Sequence, residues 1–174
     1  MLKDFKQFVP SSVCLKCDGC CRFKEHNSLW RPYVAPEEKD ILPGGLRAEN
    51  TLGSPVIGSD AKISVTKCGQ GFVCYFFNST DNTCNIYHAR PFECQLYPFL
   101  LGKQKNRAVL YAHLSCPYIQ EHFGTPVYQE YTRYLKEFFE KKDGREFVKR
   151  NFALLTDYTS CLAELDCVCD LVLE

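Results

Sequence analysis

The chain has 174 residues, which is the ordinary size of one compact domain. Its 45% of hydrophobic residues, including 14% aromatic residues, can supply a core, so a disordered chain is excluded. The 21 basic residues balance the 21 acidic ones, which disfavours general nucleic-acid binding because that function needs a basic excess.

Twelve cysteines are the most unusual feature of the composition. The first ten residues contain neither an uninterrupted apolar stretch nor a small-residue cleavage site, so we expect no signal peptide. We also expect no membrane span, because the sequence has no sufficiently long apolar run. These features predict a cytoplasmic protein, in which clustered cysteines more often bind metal than form disulfides.

The first predicted element is a loop with four closely spaced cysteines, Cys14, Cys17, Cys20 and Cys21. A C-x-x-C turn points two thiolates at a common centre, and the next step to Cys20 adds a third sulfur on the same side. Neighbouring side chains diverge, so Cys20 and Cys21 are not expected to be two ordinary ligands of one ion. The doublet indicates a second metal, a multinuclear centre or a reactive thiol.

A short helix is predicted next, over residues 35–42. Pro36 suits a first helical turn, and the acidic residues Glu37 and Glu38 favour the positive end of the helix dipole. Residues 43–60, which are rich in glycine, are predicted to be an exposed connection.

A β-hairpin is predicted after this connection. Residues 62–77 begin with alternating apolar and polar side chains and end in a stretch rich in aromatic and β-branched side chains. Residues 78–82 have the composition of a turn. This hairpin would carry Cys68 and Cys74 on one arm and Cys84 on the other. A further strand is predicted over residues 107–114.

The C-terminal part is predicted to be helical. Thr125 can cap a helix that runs to about residue 142, with apolar and aromatic residues at intervals of three and four that indicate a core-packing face. Asp143 and Glu146 have the spacing of a capping box for a second helix, ending near Leu155.

Four more cysteines are candidate ligands: Cys74, Cys84, Cys94 and Cys116. Nine residues separate Cys74 from Cys84 and Cys84 from Cys94, a spacing that a hairpin and a following turn can bring together. Arg90, followed by Pro91, either fixes a turn or offsets the negative charge of nearby thiolates. His88 is predicted to be a surface residue and not a ligand.

These motifs resemble those of the CxxCxxCC family of zinc- or iron-chelating proteins. The resemblance covers about residues 14–117 and includes the four-cysteine loop, then Cys84, Tyr87, Arg90, Pro91 and Cys94, and finally Tyr97-Pro98. The family usually has arginine after the position of Cys94, where this chain has Gln95. Lysine N-methylases that act on flagellin have similar cysteine motifs, which implies an iron–sulfur centre in part of the family.

We expect an iron–sulfur cluster, with [4Fe–4S] favoured over zinc. One compact knuckle with widely spaced further thiols suits a cluster better than structural zinc, which favours paired knuckles. The expected role is electron transfer, metal handling or assistance to a protein partner. The alternatives are a cluster-dependent enzyme that resembles the methylases and a purely structural zinc domain.

The fold class is predicted to be α+β, as a small irregular metal-stabilised domain with short antiparallel strands and a helical C-terminal part. A single domain is expected over residues 1–174, with a cysteine-cluster core at 10–117 and a helical tail at 118–174 packed on it. Cys68, Cys161, Cys167 and Cys169 lie outside the family pattern. They are predicted not to bind metal, because buried cysteines often act as small apolar residues.

Overall fold

The computed structural model describes residues 5–17, 19–42 and 56–173. Short helices and mostly antiparallel strands make up an α+β fold, as predicted. The chain divides into two compact units: the first unit contains residues 9–95, and the second unit combines residues 5–8 with residues 96–173. The prediction of a single domain with a core at 10–117 stays a prediction.

The described part of the chain contains five α-helices and nine strands. The helices are α1 (Ser11–Cys14), α2 (Phe92–Leu96), α3 (Pro117–His122), α4 (Pro126–Glu140) and α5 (Lys142–Asn151). The strands are β1 (Arg22–Phe23), β2 (Val65–Cys68), β3 (Gly71–Cys74), β4 (Phe77–Asn78), β5 (Thr83–Cys84), β6 (Phe99–Gln104), β7 (Arg107–His113), β8 (Thr156–Asp157) and β9 (Leu165–Leu171). Within the described ranges, no helix has the length and apolar character needed to cross a membrane.

The first unit contains two small antiparallel sheets, β1-β3-β2 and β4-β5. The predicted turn does join β4 to β5. The prediction that Cys68 and Cys74 share one arm is wrong, because the chain reverses near Gly69 and places them on the paired strands β2 and β3. Gly69 has φ +57°, a left-handed conformation that glycine adopts at little cost.

The helix predicted over residues 35–42 is also wrong. Only Pro36–Glu38 form a single 3-10 turn. Glu38 is buried and accepts backbone hydrogen bonds from Ala35 and from Phe92, which is distant in sequence. Tertiary contacts therefore override local propensity here. Most of the predicted connection that follows, residues 43–55, lies outside the described residues.

The core of the first unit is one apolar cluster that contains Cys74. Its buried members are Phe23, Val34, Leu42, Val56, Ile63, Val65, Val73, Cys74, Phe76, Phe77 and Ile86. Cys21, Cys68 and Cys84 are partly buried and pack against it. The cluster therefore shields several thiols from water.

The second unit contains a four-stranded sheet in the order β8-β6-β7-β9. Strand β7 was predicted, whereas β6, β8 and β9 were not. The sheet is antiparallel except for β8, which runs parallel to β6. Gly102 on β6 permits close packing, since a Cβ there would lie 2.8 Å from the rings of Tyr111 and Tyr158.

Helix α4 was predicted correctly, including its cap, because Thr125 Oγ1 accepts a hydrogen bond from the backbone of Tyr128. Leu135 and Phe139 on its inner face are buried, as the aromatic and apolar stripe indicated. The capping box predicted at Asp143 is wrong. Lys141 alone, in extended conformation, separates α4 from α5, so Asp143 lies inside the first turn of α5.

Candidate metal centre

The four-cysteine loop is held at both ends by regular structure. Helix α1 ends at Cys14, whose carbonyl accepts a hydrogen bond from the backbone of Cys17 (3.2 Å). A 3-10 turn, Gly19–Cys21, then carries the cysteine doublet into β1. Since Arg22 pairs with Val73, continuing this antiparallel register places Cys21 across from Cys74. The sheet therefore brings the loop to the end of β3.

Of three distal cysteines, two lie at the ends of strands and one lies within a short helix. Cys74 ends β3, Cys84 ends β5 and Cys94 lies in α2. The sulfur of Cys74 accepts hydrogen bonds from the backbone of the residues that follow it, and Ile86 donates similarly to the sulfur of Cys84. Backbone N–H groups directed at sulfur stabilise a negatively charged thiolate, as in iron–sulfur sites.

The thiols influence one another's protonation. Burial raises the pKa of Cys74 to about 12, and the charges of Cys84 and Cys20 add to this. Burial also raises the pKa of Cys94, followed by the effects of Cys74 and Cys20. For Cys20 the hydrogen bond with Cys21 is the largest cause of a raised pKa, ahead of burial.

Six of the predicted ligands therefore belong to one electrostatically connected group. They are Cys14, Cys20, Cys21, Cys74, Cys84 and Cys94. The raised pKa values of Cys20, Cys74, Cys84 and Cys94 mean that these thiols disfavour their charged forms unless a cation compensates them. A metal centre would supply that compensation, and its binding would release protons.

Arg90 places a permanent positive charge beside these sulfurs. Its side chain is buried, and Nη1 donates to the sulfur of Cys14 at 3.4 Å. The guanidinium lies over the ring of Tyr87, 3.9 Å from the ring centre. Its charge opposes the rise in the pKa of Cys20, Cys84 and Cys94. Of the two roles considered for Arg90, charge compensation has direct geometric support.

Two residues that help to hold Arg90 were missed. Tyr87 forms the platform under the guanidinium, and the Gln95 side chain donates to the backbone carbonyl of Arg90 at 2.9 Å. The spacing of three residues between Tyr87 and Arg90 was an available signal, because one helical turn brings such residues together. Gln95 stands where the family usually has arginine, and its side chain supports Arg90 by this hydrogen bond to the Arg90 backbone.

The other predicted ligands are less closely tied to this group. Cys17 lies in the turn after Cys14, with its sulfur beside Gly19. Cys116 is buried in the second unit, immediately before α3, so its participation stays a prediction. His88 is exposed, as expected. Among the described residues, no three His, Cys, Asp or Glu side chains converge tightly enough to hold one ion, and metal ligation is therefore a proposal.

The cysteines outside the family pattern lie in different settings. Cys68 packs against the core of the first unit, and Cys161 lies in a 3-10 segment of the second unit. Cys167 pairs with Tyr111 and Cys169 with Leu110, because a β-bulge inserts Val168 between them. Adjacent residues of β7 face opposite sides, so the bulge turns the two thiols to opposite faces of the sheet. This arrangement does not favour a chelate formed by Cys167 and Cys169.

A protein-family model matches the part of the chain that contains these cysteines. The profile of the CxxCxxCC family, described as a zinc- or iron-chelating domain, matches residues 13–117. That range includes all eight predicted cysteine ligands and Arg90. No curated protein and no solved structure matches the chain. Since the matched range covers more than half of its length, the chain belongs to the CxxCxxCC family of zinc- or iron-chelating domains.

Proposed function

We propose that this protein holds an iron–sulfur cluster, with [4Fe–4S] favoured and zinc as the alternative, and serves in electron transfer, metal handling or assistance to another protein. The proposed ligands are drawn from Cys14, Cys17, Cys20, Cys21, Cys74, Cys84, Cys94 and Cys116. Arg90 would lie beside the centre as a compensating charge.

The observation that carries this proposal is the buried Arg90, whose Nη1 donates to the sulfur of Cys14 and whose charge also acts on Cys20, Cys84 and Cys94. These four cysteines come from three separate segments, namely the four-cysteine loop, the end of β5 and helix α2. Thiols that only fill space in an apolar core would not need the buried charge of Arg90 or backbone N–H groups directed at their sulfurs. Such features suit thiolates bound to a metal.

The surroundings of these thiols favour iron over zinc. Four thiolates saturate either one structural zinc ion or one [4Fe–4S] cluster, so the number of thiols does not distinguish the two. Apolar residues of the first-unit core, including Phe76, Phe77 and Ile86, lie next to Cys74 and Cys84 and can shield a cluster. A bound cluster would supply one-electron redox chemistry, which zinc does not.

The proposal is tested by oxygen-free purification from iron-replete cells, followed by analysis of iron, zinc and acid-labile sulfide. We expect iron with sulfide and a broad visible absorption that bleaches on reduction. Cys94→Ser should lose metal, whereas Cys68→Ser in the same unit should retain it. Stoichiometric zinc without sulfide in the wild-type protein would overturn the iron assignment.

A further inference from the structure

Two buried carboxylates of the first unit, Glu38 and Glu93, hold the helix that carries Cys94. Their residues are only 4% and 5% exposed. We call this pair the carboxylate brace. Burying carboxylates is costly unless hydrogen bonds compensate them, so their contacts indicate what they stabilise.

Glu38 holds the first residue of α2. Its Oε1 accepts a hydrogen bond from the backbone of Phe92 at 2.6 Å, and its Oε2 accepts one from Ala35 at 3.1 Å. The first N–H groups of a helix need external acceptors, and Pro91, which precedes α2, has no side chain that could serve. A residue 54 positions away therefore provides the cap.

Glu93 holds the same helix from the opposite direction. Its carboxylate accepts a hydrogen bond from the backbone of Tyr33, which is almost fully buried. The charge of Lys62 compensates Glu93 in part, while Lys62 Nζ donates to the carbonyl of Leu29 at 2.7 Å. The segment around residues 33–38 is thus joined to α2 by one carboxylate from each side.

The position of the brace matters because α2 has only five residues. A helix this short is not stable alone, so tertiary contacts decide its position and direction. Phe92 lies midway between Arg90 and Cys94, and Glu93 directly precedes Cys94. Burial raises the pKa of Glu38 and raises that of Glu93 to about 8, but a carboxyl oxygen accepts these backbone hydrogen bonds in either protonation state, so the contacts restrict both functional side chains.

We propose that Glu38 and Glu93 are positioning residues that orient Cys94 toward the other thiols and thereby complete its thiolate ligation of the metal. This inference rests on the proposed function of the thiol group. It assigns a specific task to two acidic residues that accept hydrogen bonds from backbone N–H groups.

Cobalt(II) is the probe, added without oxygen to the apo form of the full-length protein, because thiolate-to-cobalt absorption reports thiolate ligation. Cys94→Ser provides the spectrum expected when that ligand is lost. Glu38→Ala should reproduce the reduced thiolate absorption of Cys94→Ser and weaken cobalt binding about tenfold to a hundredfold, the usual range for groups that orient metal ligands. Glu38→Gln, which keeps one acceptor oxygen, should be intermediate.

Two controls separate positioning from general destabilisation. Glu37→Ala removes the exposed neighbouring carboxylate and should match the wild type. Ile63→Val trims a fully buried core residue outside the brace and should lower the melting temperature without changing the cobalt spectrum. If Ile63→Val reduces thiolate absorption as much as Glu38→Ala does, the inference is wrong.

The outcomes also distinguish this inference from the proposed function. If the wild-type protein binds no cobalt through thiolates, the carboxylate brace is overturned, while the proposed function is decided by the iron and sulfide analysis. If the wild type binds cobalt and the Glu38 variants give its spectrum and affinity, only the carboxylate brace is overturned. If Glu38→Ala does not fold, Glu38→Gln decides by the same comparison.

Discussion

The two units of this protein bury very different side chains. In the described residues, the first unit buries five acidic or basic side chains, Arg31, Glu38, Lys62, Arg90 and Glu93. The buried polar side chains of the second unit are His113, Asn151 and Thr156. The strands of the first unit span two to four residues, whereas β6 and β7 of the second unit span six and seven.

This difference indicates two sources of stability. In the second unit, long strands and the amphipathic helix α4 bury apolar and aromatic groups, which is sufficient for a stable fold. The first unit has little regular structure and buries costly charges. A metal centre that joins several segments would stabilise the first unit far more than the second.

The largest expected effect follows complete metal removal by a chelator. Amide exchange should accelerate across residues 9–95, while α4, α5, β6 and β7 keep most of their protection, because ligation contributes mainly to the first unit. The first compact unit ends at residue 95, whereas the cysteine-cluster core at 10–117 stays a prediction. Unchanged exchange across the first unit after full metal loss would contradict the comparison.

A core truncation in the second unit should have the opposite pattern. Leu135 is fully buried, so Leu135→Ala should lower the free energy of unfolding by about 2–5 kcal/mol. Metal content should stay unchanged. Val127, 54% exposed on the same helix, is the control, and its replacement by alanine should change stability by less than about 0.5 kcal/mol. Loss of metal in Leu135→Ala would show that the units depend on each other.

Arg90 tests how far the first unit depends on compensating charge. Arg90→Gln should weaken metal retention about tenfold to a hundredfold in competition with a chelator. If the centre is iron–sulfur, its reduction potential should fall, because a positive charge that stabilises the reduced state is removed. Arg22→Gln removes an exposed arginine of the same unit and should affect neither quantity. Equal effects of both variants would refute a specific role for Arg90.

His113 should make the stability of the second unit depend on pH. Burial lowers its pKa, opposed by Glu164, so the folded state favours neutral imidazole. Stability should be complete above the ordinary histidine pKa of about 6.5 and should fall as the pH decreases toward the lowered value. The Nδ1 atom of His113 lies 3.2 Å from the Tyr97 hydroxyl, and an asparagine side chain can take over this contact. We therefore expect His113→Asn to flatten the dependence of unfolding free energy on pH, measured by denaturation between about pH 7.5 and 5.

The exposed His88 supplies the control for this measurement. His88→Asn should keep the wild-type pH dependence of unfolding. A His113→Asn curve as steep as the wild-type curve would assign the effect to other groups.

The smallest effect is expected for the cysteines outside the family pattern. Joint replacement of Cys68, Cys161, Cys167 and Cys169 by serine should leave the metal stoichiometry unchanged. The bulge that separates Cys167 from Cys169 supports this expectation. Metal analysis that shows the loss of one centre per chain would contradict it.

Local patterns predicted the second unit only in part. The cap at Thr125 and the apolar stripe of α4 were recognisable because both depend on residues within one or two helical turns. Strands β8 and β9 were missed because their pairing partners, β6 and β7, lie about fifty residues away in sequence. Strand preference depends strongly on such neighbours.

The candidate site was likewise predictable where it depends on local patterns and not where it depends on distant contacts. Regular spacing identified its cysteines and Arg90, because metal-binding thiols and their turns follow short motifs. Tyr87 was within reach of the same reasoning. Glu38 was not, because its acceptor role depends on Phe92, whose backbone lies beside it only after folding.

The sequence by itself determined which residues could bind metal, since thiol chemistry and close spacing are local properties. Tertiary structure decided which thiols come together and what surrounds them. Cys167 and Cys169 have the spacing of a chelating pair, yet one inserted residue in the pairing with β7 turns them to opposite faces. Cys20 and Cys74 are far apart in sequence, yet the pairing of β1 with β3 brings their thiols close enough for Cys20 to raise the pKa of Cys74, because strand pairing depends on contacts between distant segments.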